Sequence, residues 1–283
     1  MIFASVCTSS GSSASTPVCG VRGPSAEAQA GSQGPSAQIV GGEDAQPLEF
    51  PWQISLQVIL RRGGDWEHFC GGAIINEQYI ATAAHCVEVD PSPSTYRVKV
   101  GEYDLGQQDP YERRLELSDV TMHPKYDTDA TTYDHALLKL KTPLNFSGAD
   151  NAVMPICLPT KNQEFDGETC TASGWGFTKD DGKISPILKK VDLPIVPFEE
   201  CNEDYEGQVD KNTMVCAGYE EGGKGTCYGD SGGPLVCLRE DGPYVLAGST
   251  SFGGECAEPG YPPVFSRIST RLDWIKSIAG ETP

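Results

Sequence analysis

A chain of 283 residues with 38% hydrophobic and 22% charged side chains can bury a sizeable core, which excludes a disordered tail or a fibrous repeat. Its 40 acidic against 21 basic residues leave a formal charge of −19, the wrong sign for holding a phosphate backbone by counterion release, which argues against nucleic acid as a partner. No apolar run approaches the roughly 18 residues that a membrane-spanning helix needs, no polybasic stretch is present, and 11 cysteines without a C-x-x-C pair point to disulfides in a secreted, extracellular protein.

The first segment differs from the rest. Residues 1–38 hold 9 Ser, 6 Ala, 5 Gly and 3 Pro, with almost no large apolar residue after Phe3. Such a stretch cannot offset its ordering entropy by burial, so a flexible leader is expected. Met1 to Cys7 offers only a short apolar piece without Lys or Arg, which reads as a truncated or missing secretory signal. The leader contributes one base, Arg22, and one acid, Glu27, so the acidity belongs to residues 39–283.

From Ile39 onward, short β-type runs are broken by Gly, Pro, Asn and Asp. They are Trp52 to Leu60, Tyr96 to Tyr103, Arg114 to His123, His135 to Lys141, Thr169 to Trp175, Lys189 to Val196, Pro234 to Leu238, Tyr244 to Ser251 and Pro263 to Ile268. This pattern predicts an all-β chain of sandwiches or barrels. One amphipathic helix is expected at the C-terminus, where Ile268, Leu272, Ile275 and Ile278 recur on one face, and it is expected to pack against the last barrel. No internal repeat suggests a solenoid or propeller.

Three segments carry chemistry: Thr82-Ala83-Ala84-His85-Cys86, Tyr133-Asp134-His135-Ala136-Leu137-Leu138 and Gly229-Asp230-Ser231-Gly232-Gly233-Pro234. A serine hydroxyl is a poor nucleophile at neutral pH, so it needs an imidazole to take its proton and a carboxylate to fix that imidazole. Each segment alone is compatible with a turn or a core histidine. Their joint occurrence, in the order His, Asp, Ser, carries the reading.

With these motifs, and with Ile39-Val40-Gly41-Gly42 at its start, the region from Ile39 to the terminal helix closely resembles the chymotrypsin and trypsin family of serine endopeptidases. The resemblance implies two antiparallel six-stranded β-barrels of the chymotrypsin type with a C-terminal helix. The leader would span residues 1–38 and the protease domain 39–283, with the barrels divided near residues 155–165. It implies Ser231 as nucleophile, His85 as base, Asp134 as the orienting carboxylate and the Gly229 and Ser231 N–H groups as the oxyanion hole. His123 and His135 are read as structural, His135 standing where the family has an aliphatic residue.

The family also implies the pairings Cys70 with Cys86, Cys170 with Cys237, Cys201 with Cys216, Cys227 with Cys256, and Cys19 with Cys157, leaving Cys7 over. Cleavage of the Gln38 to Ile39 bond would free an amine that pairs with Asp230, making the chain a zymogen. Most relatives have Lys or Arg where Gln38 stands, so the activating enzyme is left open. By the same resemblance Gly225 is the floor of the primary pocket, Ser251-Phe252-Gly253 its wall and Pro263 its backing. Without an aspartate at the floor, cleavage after large apolar or aromatic residues is expected, with elastase-like specificity or a silent binding homologue as alternatives. Glu255 is read as solvated surface near the pocket wall.

Glu102, Asp104, Asp109 and Glu112 share one loop, and trypsin-like relatives bind Ca²⁺ in the corresponding place, so structural calcium enters as a candidate although no cofactor is required. Asn145-Phe146-Ser147 is a glycosylation sequon. The expected partners are protein and peptide substrates and proteinaceous inhibitors, with the chain itself a monomer.

Overall fold

Alternation sets the first strands. In Arg113–Met122 (β6), Leu115 and Leu117 are buried while Arg114 and Glu116, which alternate with them, are exposed, the period-two signature of a sheet with one face on a core. The computed structural model describes residues 19–23, 40–60, 63–179, 182–240 and 242–283. Met1 to Cys7, with the left-over Cys7, and the Gln38 to Ile39 bond lie outside the described residues.

The strands before β6 are Glu43–Asp44 (β1), Gln53–Val58 (β2), Glu67–Ile74 (β3), Tyr79–Thr82 (β4) and Tyr96–Val100 (β5), and Ala136–Leu140 (β7) follows it. Antiparallel pairing in the order β2-β3-β4-β7-β6-β5 closes on itself as a barrel, because β5 pairs back onto β2. Its interior is filled by Ile54, Leu56, Ile74, Ile80, Val98, Leu138 and Leu140.

The second half holds Thr169–Gly174 (β8), Lys189–Val196 (β9), Phe198–Asp204 (α1), Met214–Ala217 (β10), Pro234–Leu238 (β11), Tyr244–Phe252 (β12), Val264–Arg267 (β13) and Leu272–Ala279 (α2). Here the ring runs β8-β9-β10-β13-β12-β11, and β11 returns to β8. β1 is added to the free edge of β9 through Glu43 opposite Lys190. The fold is therefore all-β, two six-stranded antiparallel barrels with a C-terminal helix.

The expected helix is present, but it begins at Leu272 and packs elsewhere than expected. Ile268, Leu272 and Ile275 belong to the core of the first barrel, and the Asn76 side chain donates to the Ala279 carbonyl at 3.0 Å. The chain crosses back because the first barrel is where that apolar face finds a partner. β1, β3, β4 and β10 are strands that the sequence pattern does not reveal.

Candidate active site

The three motif segments reach one cleft from both barrels. His85 follows β4, Asp134 precedes β7, and Ser231 lies in the turn entering β11. That turn is seated on the first barrel: the Gly71 N–H of β3 donates to the Ser231 carbonyl at 2.7 Å. Gly232 comes next with φ of 73°, and a Cβ there would lie 2.2 Å from Thr82 Oγ1. Only glycine lets the nucleophile turn approach the His85 turn so closely.

Asp134 is fully buried and gathers three donors. His85 donates its backbone N–H at 2.9 Å to one oxygen and Nδ1–H at 2.8 Å to the other, which also accepts from Ser251 Oγ at 2.5 Å. Burial alone would raise this carboxyl, but the bonds from His85 and Ser251 outweigh it and hold the group below the usual carboxylate range. Burial likewise pulls the His85 imidazole down, and Asp134 more than reverses that. Fixing the proton on Nδ1 leaves Nε2 as the basic nitrogen. Ser231 Oγ and His85 Nε2 share no hydrogen bond among the described contacts, a bond that commonly tightens only around substrate.

Behind the nucleophile, Gly229 takes φ of 95°, and its carbonyl accepts from His68 Nε2 at 2.9 Å while Ser55 Oγ bonds His68 Nδ1 at 2.8 Å. Burial pushes His68 down to about 4, so it stays neutral and can donate on one side and accept on the other. The sequence reading missed this relay, because its members are a serine and a histidine in separate strands with no motif around them. Asp230 is buried and both of its oxygens accept backbone N–H groups, from Gly176 at 2.7 Å and Cys227 at 3.0 Å. Burial pushes its carboxyl up to about 6 against the pull of those two bonds.

Beside Ser231 opens a cavity of about 240 Å³ whose lining includes Ser251, Gly253, Pro263, Thr226 and Tyr228. Gly225 is not in that lining, contrary to expectation. A Cβ on Gly225 would meet Pro263 Cγ at 3.1 Å and Ala257 at 3.4 Å, so the proline ring, which does line the cavity, lies against it. Gly253 leaves the mouth open, since the nearest atoms to a Cβ there are Pro263 Cα at 3.8 Å and Tyr205 Oη at 3.9 Å. Glu255 is exposed at the rim, its N–H bonded to the Glu258 carboxylate at 3.0 Å.

His135 is buried next to Asp134, its Nε2 without a hydrogen-bond partner. It faces His123 and Trp274, each with ring centroids 6.4 Å away. Burial pushes it down to about 3, so it remains neutral and does not compete with His85 for the carboxylate.

The four acids proposed for calcium do not suit it. Lys99 Nζ lies 2.5 Å from Glu102 and 3.1 Å from Glu112. Asp109 accepts the Tyr103 and Asp104 N–H groups at 2.6 and 2.9 Å, and Asp104 is taken by Gly106 and Gln107. Among the described residues, the groups of potential ligand atoms that do converge are Cys70, His85 and Cys86, and Glu168, Cys170 and Cys237, whose sulfurs are bound in disulfides.

Five disulfides join Cys19 with Cys157, Cys70 with Cys86, Cys170 with Cys237, Cys201 with Cys216 and Cys227 with Cys256, the pairing that the resemblance implies. Asn145 is exposed, on a turn closed by the Gly148 N–H at 3.0 Å.

Two closed barrels with a His–Asp pair on one and a serine turn from the other define a hydrolase that works at the seam between them. The Trypsin family profile matches residues 39–275. The chain is 41% identical to Trypsin-1 of Astacus astacus over 243 residues, 85% of this chain and 100% of that protein. It is also 41% identical to Serine proteinase stubble of Drosophila melanogaster over 248 residues, 85% of this chain but 31% of that longer protein. The chain belongs to the trypsin family and is a serine endopeptidase.

Proposed function

We propose that Ser231 is the nucleophile of this protease, His85 its general base and Asp134 the carboxylate that orients the base. The observation that carries the reading is the Asp134 hub, in which one buried carboxylate fixes the His85 tautomer through Nδ1 and is itself held by Ser251. As Ser231 Oγ attacks the scissile carbonyl, its proton passes to His85 Nε2 and the imidazolium is stabilised by Asp134. The negative charge that forms on the carbonyl oxygen falls to the N–H groups of Gly229 and Ser231. His85 then protonates the leaving amine, and water repeats the sequence on the acyl-enzyme to release the acid. Ser231→Ala should lower kcat by on the order of 10⁶-fold with an unchanged melting temperature. Turnover comparable to the parent overturns the assignment.

The pocket favours large apolar or aromatic side chains before the cut. Its lining is uncharged apart from Glu255 at the rim, so a lysine or arginine would lose hydration without a buried counter-charge. An apolar side chain gains about 25 cal/mol per Å² buried. The Pro263 ring shortens the pocket, which favours a second reading, cleavage after smaller side chains in the elastase-like manner.

The enzyme is made as a secreted zymogen in this proposal, with residues 1–38 as its leader. Cleavage after Gln38 would free the Ile39 amine to pair with Asp230, a buried carboxylate that its two backbone donors leave partly uncompensated. Val40, the next residue, bridges to Gly225 behind the pocket, within reach of that site. The leader would then stay attached through the Cys19–Cys157 disulfide. Its partners are protein substrates and proteinaceous inhibitors, and it acts as a monomer without nucleic acid or membrane. Among the described residues no helix is long and apolar enough to cross a membrane. Releasing Ile39 in vitro and profiling a peptide library tests both halves: full activity before release removes the zymogen reading, and a preference for Arg removes the specificity reading.

A further inference from the structure

We infer that the Lys99 ammonium is the structural cation of the loop over residues 101–112, standing between two buried glutamates where a divalent metal ion would otherwise be needed. The protease would then hold this loop without calcium and acquire a calcium requirement only when Lys99 is lost.

The loop leaves β5 and returns as β6, and on the way it supports the seam between the barrels. Leu105 N–H donates to the Pro186 carbonyl at 2.8 Å, and the Tyr103 carbonyl accepts from Leu188 N–H at 3.0 Å and from Trp175 Nε1 at 3.1 Å. Its two ends carry Glu102 and Glu112, whose side chains are almost wholly shielded from solvent. Two carboxylates facing each other out of water repel and lose hydration, so a cation between them is required. Lys99 supplies it from inside β5, itself almost fully buried, with 2.5 and 3.1 Å contacts that bridge the two ends of the loop. Arg114 adds a second cation on Glu112 at 2.9 Å. Lys99 and Arg114 set two cations directly against the two glutamates, with Asp109 and Arg97 as a further acid and base in range, and a calcium ion added beside the ammonium would be repelled by it.

One oxygen of each glutamate, Glu102 Oε1 and Glu112 Oε2, is buried without a partner in this arrangement. An ammonium offers three donors at one point, whereas a metal ion would draw further oxygens around itself. These unused oxygens are what a calcium ion could recruit once the ammonium is gone. Burial raises the Glu102 carboxyl against the pull of Lys99, as expected for a carboxylate that depends on one partner.

Thermal unfolding of the full chain with excess Ca²⁺ and with EDTA tests this without reference to catalysis, so its failure is distinct from failure of the proposed function. The parent should melt at the same temperature in both. Lys99→Met should melt lower in EDTA and recover in Ca²⁺, and calorimetric titration should show Ca²⁺ binding at least about tenfold tighter than in the parent. Adding Glu102→Gln to Lys99→Met should abolish that response. If Lys99→Met fails to fold in EDTA, its refolding yield should rise with Ca²⁺. A parent stabilised by Ca²⁺, a variant indifferent to it in melting or refolding yield, or a response that survives Glu102→Gln would each overturn the inference.

Discussion

The first barrel carries His85 and Asp134 and, with His68, His123 and His135, all 4 histidines of the chain, while one disulfide, Cys70–Cys86, lies within it. The second carries Ser231 and the pocket, and three disulfides cross it: Cys170–Cys237, Cys201–Cys216 and Cys227–Cys256. Proton transfer depends on pKa values, and those are set by burial and by neighbours inside a tightly packed core. Recognition depends on the shape of loops that have little core of their own. Cys227–Cys256 joins two such loops across the pocket lining, and closing loops covalently restricts the unfolded chain more than it adds native contacts. Changes in the first barrel should therefore move titration and rate, and changes in the second should move selectivity.

Short of removing the nucleophile itself, the largest expected effect comes from breaking the seat between the two. Gly232→Ala places a methyl 2.2 Å from Thr82 Oγ1 at a φ of 73°, so the nucleophile turn must lift away from the His85 turn. A displacement of about 1 Å at the reacting atoms costs on the order of 100-fold in kcat. Steady-state kinetics on a matched peptide should show that loss mainly in kcat, with the melting temperature of each barrel falling much less. An unchanged kcat would mean that the barrels do not need this seat to align their groups.

What the sequence made legible was the chemistry, because the His85, Asp134 and Ser231 segments are local and keep a fixed order. Several strands were legible for the same reason: Arg114 to Leu117 alternates before the bulge between Leu117 and Asp119, and Lys189–Val196 matches its expected bounds. β3 was not, since Gly71-Gly72 inside it reads as a turn. The glycine at 71 is required by the other barrel, for a Cβ there would lie 2.8 Å from Gly233 Cα, about 160 residues further along. The relation of Gly225 to the cavity is of the same kind. Floor and backing, Gly225 and Pro263, are separate parts in the sequence, whereas in the fold the proline ring lies against the glycine, at 3.1 Å from where a Cβ would stand. Contacts between distant segments leave no periodicity behind, and the docking of α2 on the first barrel belongs to that class.

A smaller effect separates the barrels by pH. His135 is held near 3 by burial, against about 6.5 for an exposed imidazole in the unfolded chain. Its folded pKa is depressed, so stability is complete above the unfolded value and declines as pH falls below it, when the unfolded chain binds a proton that the folded one refuses. The loss attributable to this residue is about 2 kcal/mol at about pH 5. Asp134 faces His135 and favours its charged form, while Arg271 and His123 oppose it. His135→Leu should remove this part of the acid sensitivity, so its unfolding free energy should fall less than the parent's between about pH 7 and about pH 5. Equal slopes would place the acid sensitivity in His68 and His123, which burial also holds near 4.

The smallest effect is on selectivity, and it belongs wholly to the second barrel. Pro263 lines the 240 Å³ pocket and lies against Gly225. Pro263→Gly should lengthen the pocket toward Gly225 without charging it. A ring that now stops at the proline would then bury further, and one or two extra carbons buried are worth about 1–3 kcal/mol, or at least about tenfold in kcat/KM. Phe and Tyr should gain on Leu by that factor on peptides that differ only before the cut, while Lys and Arg stay poor because no counter-charge has been added. The acid limb of the rate profile, set by His85 on the other barrel, should stay where it is. A shift in that limb, or an equal gain for all side chains, would show that pocket shape and proton transfer are coupled across the seam.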